Sequence, residues 1–343
     1  MFAKQTKKGA RASLTYNGWA RKRLAMEQLL PVELISKLQE LGQALDIKQS
    51  VSVFDGGRVE LNVVGENKEI EYGQRQAAGR SPAESRRRAW RQRRTSGGSR
   101  PSSEAPPFCS DQAETLYGAD RLNLVLQYSA RIFEDEAGIW VACKSRPLGA
   151  RGPLFHLLVA VPFEQRVMPR AWAFRSIGPH AKPVGPRHTN FGDASICAFA
   201  KENCAWDYPE GLVRLIDLYS VWLLKHLWMS QFGRWPGPQS GAVALYRRQE
   251  FKPQEWCGCN SGLRYGECHH QADQRLPDAL ALIEFGQAFQ FHYENRNVPP
   301  LVLDAARTKW ARLPTIRQAY SSRPADPVRL SSSEVSEIPS TQS

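Results

Sequence analysis

The chain has 343 residues, enough for about two domains, and its 42% apolar and 23% charged content is that of a globular protein rather than a wholly disordered one. The longest uncharged apolar stretch, residues 153–163, is too short to span a bilayer. The basic N-terminus has no apolar run behind it, so no membrane partner or secretory signal is expected, and the expected location is cytoplasmic. The net charge of +12 sits in two short segments, residues 1–23 (+7) and 75–100 (+8), leaving about −3 for everything else and excluding a basic nucleic-acid face on the folded bulk.

Residues 25–47 carry Leu34, Leu38, Leu41 and Leu45 at helical spacing. Residues 51–64 read as a hairpin that turns at Asp55-Gly56-Gly57. Together they make residues 1–72 a small α+β extension with no motif that carries chemistry. Residues 73–107 are dense in Arg, Ser, Gly and Pro and almost devoid of aliphatic residues, which predicts a solvated, disordered linker. Any nucleic-acid contact is expected in its basic portion, residues 75–100.

Four β-rich runs follow, at 122–133, 138–144, 153–163 and 170–177, with short connections between them. They predict a four-strand antiparallel meander. A loop of some 30 residues, 178–208, comes next; loops this long inside a compact domain tend to carry function. Residues 212–229 are apolar almost all round and predict a buried helix packed on the sheet. The expected fold class is α+β, with this domain at 108–250. A metal motif at 251–275, a helical region at 276–317 and a disordered tail at 318–343 complete the chain.

Seven cysteines stand at 109, 143, 197, 204, 257, 259 and 268. An odd count with one tight cluster argues for a metal site and a reactive thiol rather than a disulfide scaffold. Cys109 and Cys143 read as core residues, Cys204 as a bystander, and His156 and His226 as satisfied core histidines. The long loop holds His188, Asn190, Cys197 and Trp206. A thiol on an irregular segment can act as a nucleophile, and a nearby carboxamide can stabilise an oxyanion. With no Ser elbow and no protease-type Cys-His-Asn spacing, the set suits thioester transfer better than hydrolysis.

The run His188-Thr189-Asn190, then Ile196-Cys197, then Trp206 and Pro209 ahead of a helix, resembles the active-site segment of ubiquitin-conjugating enzymes. Trp235-Pro236-Gly237 resembles bacterial members tied to antiphage operons of the CBASS type. The resemblance covers about 140 residues. It implies a UBC-like fold and an acyltransferase with a thioester at Cys197. Asn190 would be the oxyanion or loop-ordering amide, His188 a structural residue, and Asp207 a candidate for the acid that orients the acceptor lysine. The implied partners are a protein substrate, either a cyclic-oligonucleotide synthase or a ubiquitin-like modifier. Thr189 stands where the family has Pro. The alternative is a non-catalytic adaptor of the same fold that binds protein or nucleic acid through its zinc and basic segments.

Residues 256–270 place Cys257, Cys259, Cys268 and His269 in the spacing C-x-C-x8-C-H, with His270 as a second choice for the fourth ligand. Three thiolates and one imidazole close a tetrahedral shell around Zn and leave no position for water, so the expected cofactor is a structural zinc. With Ser261, Gly262 and Tyr265 the segment resembles the SEC-C motif, whose modules serve as docking appendages.

Overall fold

The computed structural model describes residues 30–62, 108–199, 205–241, 243–289 and 296–321. The calls on residues 1–29, the linker at 73–107 and Cys204 lie outside the described residues; of the tail expected to be disordered at 318–343, residues 318–321 instead belong to a helix, Ile316–Ser321, that buries Ala319, and the rest lies outside the described residues. Helix α1 (Val32–Asp46) buries the expected leucine stripe, Leu34, Leu38, Leu41 and Leu45. Strands β1 (Val51–Phe54) and β2 (Arg58–Leu61) pair antiparallel in the register Val51↔Leu61. The turn between them, Asp55–Gly57, has Gly56 and Gly57 at positive φ. A Cβ on Gly57 would stand 2.3 Å from Ser145 Oγ and 2.6 Å from Ser220 Oγ, so only glycine lets the turn tuck this close.

The first predicted strand is a correction. Residues 111–128 form a helix, α2 (Asp111–Tyr128), and the strand starts only at β3 (Arg131–Asp135). The Ser110 side chain caps the helix by accepting the Ala113 N–H at 3.2 Å, and Asp111 and Glu114 lie in the first turn. Ala113, Tyr117, Leu124 and Tyr128 share the buried face at helical spacing. The short apolar run from 122 to 128 fits both periods, and the capped helix claims it.

Strands β4 (Gly138–Ser145), β5 (Phe155–Pro162) and β6 (Arg170–Ser176) fall where expected, and a short β7 (Lys182–Pro183) joins them. The sheet is therefore a five-stranded antiparallel meander, β3-β4-β5-β6-β7, rather than four strands, with the hairpin as a separate two-stranded sheet.

Both faces of the large sheet are covered, which is why its strands read as continuous apolar runs. Ile139, Val141, Leu157, Val159 and Ala171 pack against α1, α2 and the buried helix α3 (Leu212–Phe232). Trp140, Leu158, Trp172 and Phe174 face the opposite way, toward Val302, Ala305, Trp310, Ile316 and Ala319. The latter come largely from α7 (Pro300–Arg307) and α8 (Ile316–Ser321). Trp140 Nε1 donates to Pro314 O at 2.9 Å, fixing the C-terminal segment on that face. The residues of α1 and the hairpin belong to the same apolar cluster as the sheet's first face. A third cluster gathers α4 (Ala244–Glu250) and α6 (Asp278–Phe289) around Cys257 and Tyr265, with α5 (His270–Arg275) following directly on Cys268 and His269. Among the described residues, no helix is long and apolar enough to cross a membrane.

Candidate functional site: a thiol loop beside a Cys3His cluster

The loop after β7 folds back on itself as a miniature hairpin. Thr189 and Ile196 form an antiparallel bridge, Cys197 N–H donates to His188 O at 3.0 Å, and Asn190 N–H donates to Ser195 O at 2.7 Å. Ile196 N–H donates to Ala171 O at 2.7 Å, which anchors the hairpin to β6. The sequence therefore folds His188, Asn190 and Cys197 into one small unit.

Asn190 is exposed at the tip. Its Nδ2 donates to Ser195 Oγ at 2.9 Å and reaches Ile196 O at 3.4 Å, the peptide that enters Cys197. Ser195 is in turn held by Asp193 Oδ1, which accepts its N–H at 2.9 Å and its hydroxyl at 2.8 Å. Asp193 pairs with Arg170 at 2.9 Å. The chain Asn190–Ser195–Asp193–Arg170 holds the carboxamide against the peptide that leads into Cys197, and its last three members escaped the sequence reading. Their signal was a serine and an acid packed between the two candidates.

His188 is buried at positive φ, with its ring 4.0 Å from that of Trp235 and its Nε2 3.0 Å from Gln239 Oε1. Burial, reinforced by the Arg187 charge, holds its imidazole well below the ordinary range, so the ring is neutral. Its carbonyl also accepts Trp222 Nε1–H at 2.8 Å. The ring packs on Trp235 while the carbonyl ties the loop to helix α3 through Trp222.

Cys197 itself is half-buried. Burial raises the phenols of Tyr219 and Tyr246. Trp206 is buried and donates Nε1–H to Gly211 O at 2.9 Å, closing the loop onto the start of α3. Asp207 is exposed at the head of the turn Tyr208–Glu210. Of the other candidates, Cys143 is buried and His226 is satisfied, its Nε2 2.9 Å from Arg187 O. His156 is only half-buried, and Cys109 is exposed rather than in the core because it precedes the cap of α2.

The ligating atoms of Cys257, Cys259, Cys268 and His269 all lie within 4.8 Å of one another. Cys257 Sγ is 3.2 Å from His269 Nδ1, Cys268 Sγ is 3.1 Å from the same nitrogen, and the Cys259 and Cys268 sulfurs are 3.6 Å apart. Ligands roughly 2.0–2.3 Å from a tetrahedral ion are separated by edges of about 3.3–3.8 Å, so these atoms can hold a metal. His270 turns away, edge-on to the Tyr265 ring at 5.1 Å, which leaves His269 as the fourth donor. The knuckle is shaped by Gly258, Asn260 and Gly262 at positive φ, with Cys257 N–H donating to Leu263 O at 3.0 Å. A hydrogen bond with Ser261 pulls the Cys259 thiol down to about 6.

Between the two features lies a buried charge network absent from the sequence reading. Arg187 donates to both carboxylate oxygens of Glu255, Nη1 to Oε1 at 2.9 Å, and its Nη2 also reaches Gln239 Oε1 at 2.9 Å. Glu250 stands 3.6 Å from Arg187 and accepts from Arg296 at 2.8 Å. No family model, curated protein or solved structure matches this chain.

Proposed function

We propose that the protein is an acyltransferase of the ubiquitin-conjugating type, in which Cys197 takes a protein carboxyl terminus as a thioester and passes it to an acceptor amine. The observation that supports this reading is the miniature hairpin that carries a half-buried thiol and an anchored carboxamide reaching the peptide just before it, in the loop between an antiparallel meander and a buried helix. In the transfer step the amine attacks the thioester carbonyl and gives up its proton to water, the tetrahedral oxyanion collapses to the amide, and the C–S bond breaks to release the Cys197 thiolate. The Asn190 amide, turning from Ser195 toward the carbonyl oxygen, supplies the oxyanion donor. His188 takes no proton, since its neutral ring faces Gln239 and Trp235.

The Cys3His cluster binds zinc in this reading. Three thiolates and one imidazole suit that ion, and four protein donors leave no coordination place for water, so the metal organises the knuckle rather than reacting. The carboxyl terminus loaded on Cys197 is that of a protein partner, either a cyclic-oligonucleotide synthase or a ubiquitin-like modifier, with action in the cytoplasm in antiphage defence.

The adaptor reading has one observation in its favour: Asn190 is already engaged by Ser195 and Ile196, as in a loop built only for shape. Intact-mass analysis and non-reducing gels on protein co-expressed with its neighbouring genes separate the two. A reductant-sensitive adduct supports the enzyme, and its absence under conditions where partner binding persists supports the adaptor.

A further inference from the structure

The metal knuckle and the thiol loop are joined through one fully buried carboxylate. Glu255 precedes Cys257 by two positions, and Tyr265 N–H donates to its carbonyl at 2.7 Å, within the same knuckle that gathers the ligands. It is 0% exposed. Its side chain accepts from Arg187, from Trp235 N–H at 2.6 Å and from Lys252 N–H at 3.1 Å. Arg187, 2% exposed, immediately precedes His188, the residue whose carbonyl holds the Cys197 N–H. A second tie runs through Phe191 at the hairpin tip, whose ring lies 4.9 Å from those of both Phe285 and Phe289 and 4.0 Å from the Arg296 guanidinium. A buried ion pair contributes little net stability, because desolvation offsets the attraction, but a bidentate Arg–carboxylate pair fixes geometry tightly.

We infer that Glu255 is a positioning residue through which the Cys3His centre holds the Cys197 loop in register, so that occupancy of the metal site sets the reactivity of the thiol. The inference rests on reading Cys197 as the acting thiol. When the knuckle loosens, Arg187 loses its fixed partner, the strand pair His188–Cys197 opens, and the half-buried sulfur becomes more accessible to small electrophiles while transfer slows.

The test uses the full-length, metal-loaded protein and iodoacetamide, with alkylation followed by mass spectrometry at Cys197 and, as an internal standard, at the exposed Cys109. Metal removal by a chelator, and separately Glu255→Gln with its metal retained, should each raise the Cys197 rate roughly two- to thirtyfold, the range that changes along a packed network produce. The Cys109 rate should stay constant, and reloading zinc should restore the wild-type Cys197 rate. Asp46→Asn weakens a contact of the module away from the thiol loop, the pair of 3.1 Å contacts from Arg264, and should leave the Cys197 rate unchanged. The inference is overturned if Cys197 reacts at its metal-loaded rate in both perturbed proteins. It is equally overturned if Cys109 rises in step, or if Asp46→Asn has the same effect as Glu255→Gln. Alkylation needs only the thiol, so the coupling is read even if Cys197→Ala retains conjugation, an outcome that would sink the functional reading alone.

Discussion

Replacing Asn190 by Ala separates a catalytic amide from a structural one, because the two roles differ in magnitude. In the resting loop the exposed carboxamide makes one good hydrogen bond, to Ser195 Oγ at 2.9 Å, and one long contact, to Ile196 O at 3.4 Å. A neutral, solvent-accessible hydrogen bond contributes about 1 kcal/mol, and Ser195 keeps its Asp193 partner, so Asn190→Ala should lower stability by no more than ~1 kcal/mol. An oxyanion donor contributes about 3–4 kcal/mol to the transition state, so transfer from the charged thioester to an amine should slow by roughly 10²–10³-fold. Formation of the thioester should slow far less. The assay is single-turnover discharge of preformed adduct to free lysine, run beside urea unfolding of the same variant. A slowing under about tenfold, the factor that 1.4 kcal/mol of loop destabilisation gives, would assign Asn190 to loop order and remove it from the chemistry.

Three further outcomes follow from the packing. Purified protein should carry about one zinc per chain, lost in Cys259→Ser, and metal analysis well under half an equivalent would count against the cluster. Gly42→Ala should destabilise by about 1–3 kcal/mol, because its Cβ would stand 1.9 Å from Trp228 Cε3 where α1 crosses α3; an unchanged midpoint in thermal melts would show that α1 does not pack there. Two buried groups give opposite pH signatures. The His188 imidazole is held below its ordinary 6.5, so its contribution is present above that value and is lost as pH falls below 6.5, when the unfolded chain binds the proton first. Asp217, hydrogen-bonded by Tyr128, is pushed by burial from 3.8 up to about 6, so its contribution is complete below 3.8 and is lost as pH rises to about 6. Chemical denaturation across pH should therefore give a flatter profile between 3.8 and 6 in Asp217→Asn than in the wild type; parallel profiles would mean that Asp217 titrates normally.

The sheet and helix α3 were legible because residues buried on both faces write continuous apolar runs, as 138–145 and 155–162 do. The Cys3His cluster was legible because four donors crowd into 13 residues, although the choice of His269 over His270 needed the Tyr265 ring to occupy the latter. Helix α2 was misread because Leu122, Leu124 and Leu126 alternate like a strand, while the capping serine that decides the matter stands twelve positions earlier. Arg187 and Glu255 were not legible at all. They pair across 68 residues, and a charged side chain in a loop reads as solvated until the fold buries it.

The most direct measurement is the mass and chemistry of whatever attaches at Cys197. Peptide mapping of protein isolated with its partners should find an acyl adduct on the wild-type Cys197 peptide that is released by reductant. In Cys197→Ser the same mass should persist through reductant and be released by hydroxylamine or alkali, because a serine ester keeps its acyl group where a thioester exchanges it. Cys197→Ala should carry none, while Cys204→Ser should be modified like the wild type. An adduct that survives in Cys197→Ala, or that moves with Cys204, would contradict the assignment of the nucleophile.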